Sequence, residues 1–78
     1  MEDKKIRRNL YRALRKTGVQ KQDINLNSSF NNDLRFDPLD WSIFAFYLEG
    51  IFNISIDDDD LVKLENVRST IQYLGQSA

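Results

Sequence analysis

Few side chains in this sequence could do covalent chemistry, and the residue types that are missing decide most of the question. There is no His and no Cys among the 78 residues. The usual general base, the usual nitrogen ligand for a metal and the thiolate nucleophile are therefore absent together. Hydroxyls and carboxylates remain, without a Gly-rich loop to cradle a phosphate. They assemble no nucleophile–base pair, so the chain is not expected to be an enzyme. The run Asp57-Asp58-Asp59-Asp60 could attract a divalent cation. It lacks the Gly and the alternating oxygen ligands of a calcium loop, so no metal site is expected there.

One stretch organises the rest: Asp33-Leu34-Arg35-Phe36-Asp37-Pro38-Leu39-Asp40-Trp41. It reads as a loop turning into a helix. Asp37 suits the N-cap, where its carboxylate accepts free backbone N–H groups of the first turn. Pro38 suits the first helical position, because its φ is preset and its missing N–H is not needed there. The residue before a proline is held extended, which is also the N-cap conformation. Asp40 follows three residues after the cap, at the positive end of the helix dipole.

The elements that must position this stretch follow from periodicity. Ile6, Leu10, Ala13, Leu14 and Thr17 recur at helical spacing over residues 3–17, and Gly18 marks the end. Residues 19–36 form a long connection, pinned by Val19, Ile24, Leu26 and Phe30 and rich in Asn and Ser turn formers. A second helix over 38–52 is apolar on almost every side, and Gly50 within it marks either a close neighbour or a weak point. The acidic run forms the N-terminus of a short third helix, with Asp57 as its cap. The last helix covers 66–74, capped by Asn66 and stopped by Gly75. The expected core comprises Leu10, Leu14, Phe30, Leu34, Phe44, Leu48, Phe52, Ile56, Leu64, Val67 and Ile71.

Length allows one domain over 1–78. No stretch approaches a membrane span, and the charged start from Glu2 to Lys5 does not resemble a signal peptide, so a cytoplasmic setting is expected. The net charge of −1 conceals a division. Residues 1–22 carry eight Lys and Arg against two acids, a net of +6, and residues 23–78 carry three against ten, a net of −7. Either the halves attract each other within the fold or they serve charged partners.

The stretch 33–41 resembles the modification site of acyl carrier proteins, whose pattern is Gly-x-Asp-Ser-Leu-Asp/Glu. Leu34, Asp37, Leu39 and Asp40 match, while Arg35 stands at the Gly position and Pro38 at the Ser position. The resemblance runs without a gap from Ser29 to Leu74, through Phe30, Leu48, Phe52, Ile54, Ile56, Val67 and Ile71. It implies an all-α fold, a four-helix bundle of three main helices plus a short third one. In that family the Ser hydroxyl carries 4′-phosphopantetheine. Pro38 has no hydroxyl, so none is expected to be attached there. Asp37, Leu39 and Asp40 would flank the altered position.

The resemblance further implies a protein that docks onto an enzyme of fatty-acid, polyketide or related acyl metabolism. Trp41, Ile43 and Phe46 fall where carriers dock, and apolar anchors of this kind suit an interface. At least two of the three are expected to be largely accessible, and a homodimer through helix two is compatible with them. One alternative is a working carrier whose site is altered in this copy or shifted to another Ser: Ser42 lies one turn beyond Pro38, and Ser28 and Ser29 precede the loop. Another is a nucleic-acid-binding domain using basic helix one, against which the acidic balance and missing recognition motif speak.

Overall fold

The computed structural model describes residues 3–77. Met1, Glu2 and Ala78 lie outside them, so the expectations for the 1–78 boundaries and for Glu2 fall partly outside as well. The elements are α1 (Asp3–Thr17), a 3₁₀ turn at Lys21–Asp23, α2 (Pro38–Phe52), α3 (Asp58–Leu61) and α4 (Val67–Ser77). The fold is all-α, and no strand forms among the described residues.

α1 buries Ile6, Leu10, Ala13 and Leu14 and turns its Lys and Arg outward. Its end is satisfied locally. Gly18 takes φ 111°, which lets its N–H donate to Arg15 O at 3.0 Å and that of Val19 to Leu14 O at 3.1 Å. These two bonds use carbonyls that the last helical turn leaves free.

The long connection does not hang loose. The Phe30 N–H donates to Glu65 O at 3.1 Å, the Val67 N–H to Ser28 O at 3.1 Å and the Arg68 N–H to Leu26 O at 3.0 Å. An isolated antiparallel bridge between Ser29 and Asn66 results. Ser28 is buried, with its Oγ donating to Asp23 O at 2.8 Å and accepting from the Asn25 N–H at 3.0 Å.

α2 ends at Asn53, whose φ of 55° is left-handed, a conformation Asn tolerates better than most residues. The Glu49 carboxylate then accepts the Ile56 N–H at 2.8 Å and ties the next segment back to the helix. Asp57 has the extended backbone of an N-cap, but its side chain makes no capping bond to the four-residue α3. Asn66 does cap α4: its Oδ1 accepts the Ser69 N–H at 2.8 Å, and Ser69 Oγ accepts the Asn66 N–H at 3.1 Å. Gly75 does not stop α4, which continues to Ser77. A Cβ at Gly75 would sit 3.8 Å from Ile6 Cδ1, in ordinary contact distance, so the residue marks where α4 lies over α1 rather than where it ends. Gly50 has open space around it and no neighbour.

α1 packs against both α2 and α4. Phe30, Phe44, Leu10, Leu14, Leu48, Phe52, Leu64 and Val67 are buried, as the sequence predicts. Leu34, Ile56 and Ile71 are only half-buried, and Ile6, Ala13, Ile24 and Leu74 complete the core instead. α4 packs against α1 with Gly75 beside Ile6, and Ile6 and Leu74 are both buried.

Candidate functional site at the start of α2

The start of α2 is fixed from both sides of the peptide chain. Asp37 Oδ1 accepts the Asp40 N–H at 2.8 Å, and Asp40 Oδ2 accepts the Asp37 N–H at 3.2 Å. Asp37 as the cap and Pro38 as the first helical residue are as the sequence predicts; the return bond from Asp40, which closes a reciprocal capping box, is an addition to its expected place at the positive end of the helix dipole. Both carboxylates thereby serve their own backbone.

The loop reaches this point through a tight turn. Asp33 Oδ2 accepts the Ser29 N–H at 2.7 Å, and Ser29 O accepts the N–H groups of Asp33 and Leu34 at 3.0 and 2.9 Å. The Phe36 N–H donates to Phe30 O at 2.8 Å. Arg35, between them, takes φ 54°. That left-handed conformation costs a residue with a Cβ on the order of 1 kcal/mol. A glycine would adopt it freely.

Four aromatic rings weld the loop to the helix. Phe30 lies 5.3 Å from Phe36, 5.1 Å from Trp41 and 5.3 Å from Phe44, ring centre to ring centre. Phe36 meets Trp41 edge-on at 5.2 Å and Phe44 at 5.5 Å. Such pairs contribute about 0.5–1.5 kcal/mol each beyond the area they bury.

Trp41 is therefore half-buried, and its remaining surface lines a groove with Pro38, Leu61, Val62 and Leu64. Ile43 is also half-buried. Of the three residues expected on the outer face, Phe46 alone is largely accessible, at 70%. Leu39 joins it at 67%. The two are seven residues apart, two turns along one side of α2. Leu39, expected only to flank the altered position, is thus also a surface group, and its seven-residue spacing to Phe46 is the signal in the sequence that marks it.

The nearby hydroxyls differ in availability. Ser28 is enclosed and Ser29 is half-buried, its Oγ accepting the Asn32 N–H at 3.2 Å. Ser42 is exposed, with its Oγ donating to Pro38 O at 3.2 Å inside α2.

A small helical bundle in which a long, pinned loop delivers a capped second helix is the framework of a carrier domain. The family model for the phosphopantetheine attachment site matches residues 12–74. "Acyl carrier protein 2" of Pseudomonas aeruginosa is 38% identical over 60 residues, covering 77% of this chain and 76% of its own. The "Acyl carrier protein" of Chlorobium phaeobacteroides is 33% identical over 75 residues, covering 95% and 96%. That of Chloroherpeton thalassium is 39% identical over 59 residues, covering 76% and 74%. The chain belongs to the acyl carrier protein family.

Proteins of this family are non-enzymatic carriers that normally bear 4′-phosphopantetheine. Attachment needs a side-chain oxygen. Pro38, exposed at the first turn of α2, offers none, so the residue there does not fit the group.

Proposed function

We propose that this protein is an acyl-carrier-like, non-enzymatic subunit that acts by docking and carries no 4′-phosphopantetheine. The observation that carries the reading is Pro38 at the first helical position of α2, where the resemblance puts the attachment serine. A proline there supports the helix start and leaves no hydroxyl at that position through which the arm could be held. The docking surface in this reading is the outer side of α2, centred on Phe46 and Leu39 with the accessible part of Ile43 between them, while Trp41 lies on the core side of the helix and faces the α2–α3 groove. Exposed apolar side chains in one stripe are the usual mark of a protein contact. The partner is an enzyme of acyl metabolism, the setting is cytoplasmic, and the docking unit is the whole of residues 1–78. No helix among the described residues is long and apolar enough to cross a membrane.

Intact mass after incubation with coenzyme A and a broad-specificity phosphopantetheinyl transferase tests the first half of the proposal. The mass is expected to stay unchanged. A gain of one arm, lost again in Ser42→Ala, would show that Ser42 carries it and that this is a working carrier. Pro38→Ser restores an oxygen at the first turn and should lower stability by no more than about 1 kcal/mol, because the proline acts mainly on the unfolded chain.

A further inference from the structure

Among the described residues, a single ion pair comes within 4.0 Å, and it joins Lys63 to Asp60 inside the acidic half. The basic half is not neutralised by it. Arg8, Arg12, Arg15, Lys16 and Lys21 are all exposed and line a shallow groove of about 490 Å³ around Tyr11. Lys16 alone has a further partner, resting 5.8 Å from the centre of the Tyr47 ring. A second groove of about 360 Å³ lies between the start of α2 and α3. Its walls are Pro38, Trp41, Leu61, Val62 and Leu64, and its rim carries Asp58 and Glu65. Val62 beside it is 79% exposed. The two grooves share no residue.

We infer that the outer face of α1 is a docking surface for a second copy of this chain, which presents its acidic-rimmed α2–α3 groove. One chain thus supplies both halves of a complementary pair: a row of cations on long apolar stems, and an apolar trough edged with carboxylates. Lys and Arg stems cover apolar surface while their heads reach the rim. The signs are arranged so that copies attract when unlike faces meet and repel when like faces meet. Because each face differs from the one it binds, the contact is head-to-tail. It adds copy after copy instead of stopping at a two-fold dimer, unless the turn happens to close a ring. The contact does not use the Phe46 stripe, so it stands or falls separately from the docking proposed above.

Sedimentation velocity on the full chain over a concentration series tests the inference. In roughly 0.02 M salt, where charge acts over tens of ångströms, the average mass should climb steadily with concentration. At about 1 M salt it should fall to the monomer. Arg12→Glu with Arg15→Glu, or Asp58→Lys with Glu65→Lys, should each weaken association by roughly a hundredfold. An equimolar mixture of the two double variants should associate again, since each then offers the face the other lacks. Phe46→Ala should leave the behaviour unchanged. All four reversed positions are exposed, and circular dichroism checks that the variants fold. If a reversal does unfold the chain, Arg12→Gln with Arg15→Gln serves in its place, with a smaller loss expected. A monomer at low salt overturns the inference. So does association that survives both reversals, association that needs Phe46, or a chain that stays monomeric while its α1 face binds a single-stranded oligonucleotide.

Discussion

Arg35 is the most informative single residue in the chain, because its backbone asks for something its side chain does not offer. With φ at 54° it holds the turn that feeds α2, and nothing about arginine favours that angle. The family resemblance puts glycine at this position, and the geometry supplies the reason. Arg35→Gly should therefore stabilise the fold by about 0.5–1 kcal/mol, less than the strain removed, because glycine also loosens the unfolded chain. Denaturant melts would read this directly, and a loss of stability would mean that the guanidinium makes a compensating interaction. Gly50 is the opposite case. It lies within α2, has φ in the ordinary helical range and has open space where a Cβ would go. Gly50→Ala should gain about 0.5–1 kcal/mol and raise the melting temperature by several degrees. If Gly50 is instead where a partner's backbone comes close, the same substitution weakens docking while improving the melt.

At the scale of the element, α2 combines a tightly specified start with a divided surface. Asp37→Ala removes one arm of the capping box and should cost about 1 kcal/mol. Phe30→Ala takes the central ring from the four-ring cluster and should cost about 3–5 kcal/mol, enough to unfold most of a domain this small. Phe46→Glu, on the outer side, should shift the melting temperature by only a few degrees. A Phe46→Glu protein that fails to fold would place that ring in the core and remove the basis for docking through α2. The start of α2 was legible because Asp37, Pro38 and Asp40 each act on neighbours within one turn. Asn66 was legible for the same reason, and its partner Ser69 lies three residues on. Trp41 was not. Helical spacing says which side of α2 it occupies, but its burial comes from Phe30 and Phe36, which a folded loop brings back beneath it. Gly75 failed in the same way. A glycine ends a helix where the chain must turn, whereas α4 runs on past its crossing with α1, a contact that no local pattern encodes.

For the molecule as a whole, the order of helices was readable and the role of the connection between α1 and α2 was not. Its apolar residues point to contact with the core and its Asn and Ser to turns, but neither shows that its middle is joined to the start of α4 by backbone hydrogen bonds at Leu26, Ser28 and Phe30. These bonds link residues 35 to 42 positions apart in sequence. Closing so long a segment has an entropic cost that local helix formation does not share, so this junction should form late and open early. The amides of Phe30, Val67 and Arg68 should then exchange with solvent deuterium as one group, with a common opening free energy below that of Leu10 or Leu48 in the helices. The first turn of α2 hangs from the same junction, since Phe36 is hydrogen-bonded to Phe30 and meets Trp41 edge-on. When the start of α4 lets go of the loop, the position held by Pro38 should lose its fixed orientation in the same event.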